Sequence, residues 1–154
     1  MHALFIGSTA GNSGKTLITV GLGLVLKESG YKVGYLKTLG KQPTTVNGKV
    51  VDADAQFLKG ILQLAEPLEQ ICPVVLTQDL VARGLRGEVE DLRPRIQQAY
   101  DFISAGKDVT LIGGAGSLAD GRSSGSRGPG WPRSSGRRFS SSIPTSTRWV
   151  SIAS

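Results

Sequence analysis

The stretch Ala3-Leu4-Phe5-Ile6-Gly7-Ser8-Thr9-Ala10-Gly11-Asn12-Ser13-Gly14-Lys15-Thr16 decides the fold. Its opening residues are apolar and few enough to form a short buried strand, and residues 15–28 read as a helix with Leu17, Val20, Leu24 and Val25 on an apolar face. Between strand and helix, Gly11, Ser13 and Gly14 are small enough for consecutive backbone N–H groups to turn toward one anion at a helix N-terminus. Lys15 is then placed to reach the β- and γ-phosphates of a nucleotide, and the Thr16 hydroxyl to ligate Mg²⁺. The strict spacing of such a loop has its first glycine at position 9, where this chain carries Thr9.

Outward from this unit, Gly30 stops the helix and Lys32-Val33-Gly34-Tyr35-Leu36 reads as a second strand, parallel to the first. A polar loop with Pro43, Asn47 and Gly48 follows. A helix begins near Asp52, which reads as its N-cap, with Phe57, Leu58, Ile61 and Leu62 as the core stripe. Val74-Val75-Leu76 reads as strand or loop. Asp91, Leu92, Ile96, Ala99 and Ile103 keep helical spacing, provided Pro94 sits in the first turn. After Gly106, Asp108-Val109-Thr110-Leu111-Ile112 is a third strand entering a glycine-rich turn, Gly113-Gly114-Ala115-Gly116. Alternating strands and helices predict an α/β, P-loop NTPase-like three-layer fold with a mostly parallel central sheet, incomplete at its C-terminus.

The composition changes abruptly after Asp120. Six of the 18 basic residues, all arginine, lie from Arg122 onward, and all 12 acids lie before it, so the body is neutral and the net charge of +6 belongs to the tail. The expected division is a nucleotide-binding domain over residues 1–121 and a basic Ser/Arg/Gly/Pro-rich segment over 122–154. That segment is either a disordered low-complexity tail or sequence read out of frame. A shifted frame across residues 136–145 permits an apolar strand ending in aspartate. The tail has no aromatic interleaving or fold motif that would indicate nucleic acid as a partner. Cys72 is the single cysteine, no apolar run approaches a bilayer span, and no leader precedes the first strand. A cytoplasmic, non-membrane protein is expected. A missing closing part of the sheet would favour instability or a homodimer.

The loop Ser8-Thr9-Ala10-Gly11-Asn12-Ser13-Gly14-Lys15-Thr16 resembles the expanded phosphate loop of the dethiobiotin synthetases and the related cobyrinic acid a,c-diamide synthases. Val33-Gly34-Tyr35-Leu36-Lys37 is similar to that family's second strand, which ends in a substrate-side lysine. Asp52-Ala53-Asp54-Ala55 resembles the helix start whose aspartate helps hold Mg²⁺. Leu111-Ile112-Gly113-Gly114-Ala115-Gly116 resembles the family's Val-Glu-Gly-Ala-Gly, with Gly113 in place of a metal-side glutamate. The likeness is greatest to the N-terminal domains of phosphotransacetylase-type and DRTGG-domain proteins.

This resemblance implies ATP and Mg²⁺ as cofactors and ATP-dependent activation of a carboxylate or carbamate. Thr9, Gly11, Asn12, Ser13, Gly14, Lys15 and Thr16 would hold the nucleotide, Thr16 and Asp54 the metal, and Lys15 and Lys37 would act on the phosphoryl group and the acceptor, a small carboxylate. Read from the residues alone, Lys37 is either an anion-holding cation at the end of a parallel strand or a solvated lysine, and Asp54 either a metal ligand or an acid favoured by the helix dipole. Arg83 and Arg86 read as a solvated helix face, with contact to phosphate as the alternative, and Cys72 as a core residue. A glycine at position 113 cannot ligate metal, so the alternatives are a nucleotide-sensing module without ligase chemistry or an inactive fragment. The Ala10 position, where partition-type ATPases carry a second lysine, argues against that kind of switch.

Overall fold

A computed structural model describes residues 2–8, 14–117 and 148–149 of the chain. Strand β1 (His2–Ser8) leads to helix α1 (Lys15–Glu28), then to β2 (Val33–Lys37) and a hairpin of β3 (Pro43–Val46) and β4 (Lys49–Asp52). Helices α2 (Ala53–Ile61), α3 (Leu68–Ile71), α4 (Gln78–Leu85) and α5 (Arg93–Ser104) precede β5 (Val109–Ser117). The central sheet runs β2-β5-β1, all parallel, so the β1-α1-β2 crossover leaves a slot that β5 fills. This is the α/β architecture that the strand and helix alternation predicts.

The far edge of β1 is not bare. Arg148–Trp149 (β6) pairs in parallel with Leu4 and Phe5, although no strand was expected in the tail. The other residues of the tail lie outside the described residues.

Three local expectations are corrected. The inward face of α1 carries Thr19 and Gly23, whereas Leu17 is 76% exposed and Leu24 and Val25 also face solvent. The helix turns Gly23 inward because α2 comes very close, a Cβ there lying 2.7 Å from Leu62 Cδ2, while Ile18, Leu22, Leu26 and the expected Val20 pack partly buried against the core. In α2, Leu58 and Leu62 are core residues as expected, but Phe57 is exposed.

The second correction is the loop after β2, which is a two-stranded hairpin. Asn47 and Gly48 both take positive φ, 50° and 76°, the backbone twist that a two-residue hairpin turn demands. The third is the glycine-rich turn at 113–116, which is continuous strand within β5. The stretch from Val74 to Leu76 is a loop, tied by an isolated parallel bridge between Gly40 and Val75. Pro94 sits in the first turn of α5, where its missing N–H costs nothing.

The core joins Leu36, Leu58, Leu62, Ile71, Ile103 and Leu111 between the sheet and α1, α2, α3 and α5. Among the described residues, no helix is long and apolar enough to cross a membrane.

These faces make a direct contrast in urea denaturation. Leu62→Ala, which empties a site closed on every side, is expected to cost about 2–5 kcal/mol. Leu17→Ala on the exposed face should change stability by less than about 0.5 kcal/mol.

Candidate functional site

Three parallel strands deliver their C-terminal ends to one place, the position at which open α/β sheets bind ligands. The register puts Ile6 of β1, Gly113 of β5 and Lys37 of β2 in a single row across the sheet. The phosphate loop springs from the β1 end of that row. Gly14 takes φ 75°, a left-handed turn that glycine adopts freely, and then caps α1 by accepting from the N–H of Ile18 at 3.0 Å. Lys15 and Thr16 open the helix, both partly buried. Thr9, Gly11, Asn12 and Ser13, expected to hold the nucleotide, lie outside the described residues.

At the other end of the row, Lys37 is not a solvated strand-end lysine. Its Nζ donates to Asp52 Oδ1 at 2.6 Å and to Asp54 Oδ2 at 2.7 Å, with only 8% of its side chain exposed. Burial alone would lower its pKa, but the hydrogen bonds and charges of the two aspartates outweigh this and hold the ammonium above the ordinary lysine range.

Asp52 is wholly buried and does three jobs. Its Oδ1 also accepts from the N–H of Ala55 at 3.0 Å, capping α2 as expected, and its Oδ2 accepts from the N–H of Gln42 at 3.0 Å, which fixes the loop after β2. That loop must come close: a Cβ on Gly40 would lie 2.6 Å from Asp52 Cβ. Asp54 keeps 30% of its side chain exposed, and its second oxygen makes no hydrogen bond among the described residues.

The place of the absent acid is filled. A Cβ on Gly113 would lie 2.7 Å from the hydroxyl oxygen of Tyr35. Tyr35 is 3% exposed, and burial, followed by the charges of Cys72, Asp52 and Asp54, pushes its phenol far above the ordinary tyrosine range. Cys72 is a core residue as expected. Burial first, and then Asp52, pushes its thiol up to about 12, so it is no nucleophile at neutral pH. Arg83 and Arg86 lie on and just after α4, a helix with no buried residue, and pair with Asp79 and Glu88.

For Mg²⁺, no group of three or more His, Cys, Asp or Glu side chains is assembled among the described residues. Magnesium in nucleotide sites needs only one or two protein oxygens besides phosphate and water. The Thr16 hydroxyl and the Asp54 oxygen not paired with Lys37 are donors of the type that lesser requirement asks for, and Gly113 contributes none. Sequence reasoning singled out Lys37 and Asp54 but missed Tyr35, which occupies the gap, and the polar hub at Asp52. The only signal available was the coincidence of a bulky polar residue on β2 with a missing side chain on the neighbouring strand.

Two outcomes test this arrangement. Asp52→Ala removes a buried partner of Lys37 together with a helix cap, and should cost about 3–5 kcal/mol in chemical denaturation. Because the folded pKa of Lys37 is raised, its contribution is complete below about pH 10.4 and is lost as pH rises through the folded value, so Lys37→Met should flatten the alkaline fall in stability above about pH 10. Separately, Gly113→Glu should cost about 1–3 kcal/mol by overpacking against Tyr35. In a Tyr35→Ala background, the same change should cost at least about 1 kcal/mol less, read as a coupling energy from urea midpoints.

A family model described as an AAA domain matches residues 2–126. The ATP-dependent dethiobiotin synthetase BioD of Clostridium kluyveri is 29% identical over 119 residues, covering 75% of this chain and 48% of that protein. The corresponding protein of Caldicellulosiruptor saccharolyticus is 26% identical, over 77% of this chain and 50% of its own length. A probable cobyric acid synthase of Methanococcus voltae is 26% identical, over 76% of this chain and 59% of its own. The chain thus spans about half the length of these relatives. With the phosphate loop at the end of β1 and a parallel sheet behind it, this chain belongs to the AAA domain family, among the dethiobiotin synthetase-like P-loop NTPases.

Proposed function

We propose that the chain binds a nucleoside triphosphate, ATP, and that its fold descends from enzymes that activate a carboxylate or carbamate with it. The observation that carries this reading is the row Ile6, Gly113 and Lys37, in which the root of the phosphate loop and a buried lysine stand two strands apart at the ligand-binding edge of the sheet. The loop amides and Lys15 would take the phosphates at the positive end of α1, with Thr9, Gly11, Asn12, Ser13 and Gly14 shaping the cradle. Mg²⁺ held beside them by the Thr16 hydroxyl and Asp54 would neutralise phosphate charge. Lys37 would orient a small carboxylate acceptor, but only by giving up one of its aspartates, since both oxygens within reach already hold it.

That cost favours a second reading of the same site, a nucleotide-sensing module without ligase turnover. Two features support it: Gly113 offers no carboxylate, and Lys37 is neutralised by its own neighbours. Residues 1–121 are the proposed nucleotide-binding part and 122–154 a separate basic segment. The setting would be cytoplasmic, with a second copy of the chain as the partner for the apolar residues exposed on α1.

Titration calorimetry of ATP with Mg²⁺ against wild type and Lys15→Ala tests the core of this. The wild type should bind in the micromolar range, about −8 kcal/mol, and the variant at least about tenfold more weakly. Equal and negligible binding by both would defeat the phosphate loop as a functional site.

A further inference from the structure

We propose that the Tyr35 hydroxyl reads the terminal phosphate of the bound nucleotide, donating a hydrogen bond from the space that a strand-end acid would otherwise occupy. The inference rests on the nucleotide-binding reading above and adds a recognition group to it.

Three observations carry it. Tyr35 and Lys37 alternate onto the same face of β2, and Leu111 and Gly113 onto the same face of β5. That face is the one under α1, because Leu111 Cδ1 lies 3.5 Å from the Cβ position of Gly23. The Tyr35 ring therefore lies on the side of the sheet from which the phosphate loop enters its helix. The hydroxyl also reaches beyond its own strand: it stands 2.7 Å from the Gly113 Cβ position, and the ring atoms Cε2 and Cζ follow at 3.3 and 3.4 Å. It can sit there only because position 113 is glycine, so the two residues form one device. Finally, Tyr35 is 3% exposed, yet its hydroxyl makes no hydrogen bond among the described residues. It is not one of the fully buried atoms left without a partner, Glu66 Oε2 and Thr110 Oγ1, so it keeps an accessible side that a ligand oxygen can meet.

Chemistry selects the ligand. A phenol kept neutral by its surroundings is a donor at every physiological pH. A donor next to a row that begins at the phosphate loop suits a phosphate oxygen beyond those the loop itself wraps. A carboxylate in the same place would repel that oxygen unless a cation came between them; the phenol does not. The site is thus built to recognise the third phosphate directly.

The test compares ATP with ADP by titration calorimetry on the full chain, using wild type, Tyr35→Phe and Gly113→Ala. Tyr35→Phe keeps the ring and removes only the donor. Gly113→Ala keeps the donor and forces it out of place. Both should weaken ATP by about tenfold or more, the loss expected for a hydrogen bond to a charged group, while ADP changes by less than about twofold. Equal losses for ATP and ADP would mean that the hydroxyl acts through packing, and no loss for either would mean that it does not touch the ligand; each overturns the proposal. Wild type that binds neither nucleotide would instead overturn the proposed function itself, an outcome distinct from ATP binding that ignores the hydroxyl.

Discussion

The carboxylate of Asp52 is the constraint on which the rest of this structure turns. It sits in the core with no exposure, and every hydrogen bond it accepts ties down a different element: Lys37 at the end of β2, Gln42 in the loop before the hairpin, and Ala55 at the start of α2. A buried ion pair is a poor source of net stability, since desolvation consumes most of the Coulombic gain. Its value here is geometric. Removing it would leave Lys37 with Asp54 alone and strip the N–H groups of Gln42 and of Ala55, at the start of α2, of their side-chain partner at once, so alternative placements of β2, the hairpin and α2 are costly. Specificity of arrangement follows from a polar hub that tolerates one geometry.

The same hub shapes what the site can do. Lys37 stands at the ligand-binding edge of the sheet, yet its charge is more than matched by Asp52 and Asp54. A ligand anion must compete with two resident carboxylates, one of which is accessible and one of which is not. Asp54, partly exposed at the helix start, is the one that can move, while Asp52 cannot without releasing α2. Any exchange of partners at Lys37 would therefore be graded: the outer aspartate would yield first, and the inner one would keep the ammonium anchored.

Much of the architecture was legible because backbone chemistry writes itself into local sequence. The glycine-rich turn between an apolar run and a helix located β1, the loop and α1, with α1 spanning Lys15–Glu28 as expected. Proline in the first turn of α5 and glycine after it marked that helix as clearly. The errors arose where a partner residue decides. Leu17, Leu24 and Val25 looked like a core face, but the approach of Leu62 selects the glycine side of α1. Asn47-Gly48 carried a hairpin signal that the neighbouring Pro43 and the polar residues obscured. In the site, Lys37 and Asp54 were visible from their places after a strand and at a helix start, whereas their mutual ion pair was not, because a pairing across 17 residues leaves no periodic trace. Tyr35 was least legible of all, since its role depends on an atom that Gly113 lacks.

Cys72 gives this arrangement an internal clock. Its thiol lies beside the Asp52 hub, 4% exposed and held protonated, with a pKa raised to about 12. Only thiolates react readily with alkylating reagents or disulfides, so the folded protein presents the single thiol of the chain in a form that is both shielded and chemically quiet. Modification must wait for the surrounding elements to part. Its rate under conditions where reclosing is fast then measures how often they do, so the opening of the hub can be timed at one natural atom without adding a probe.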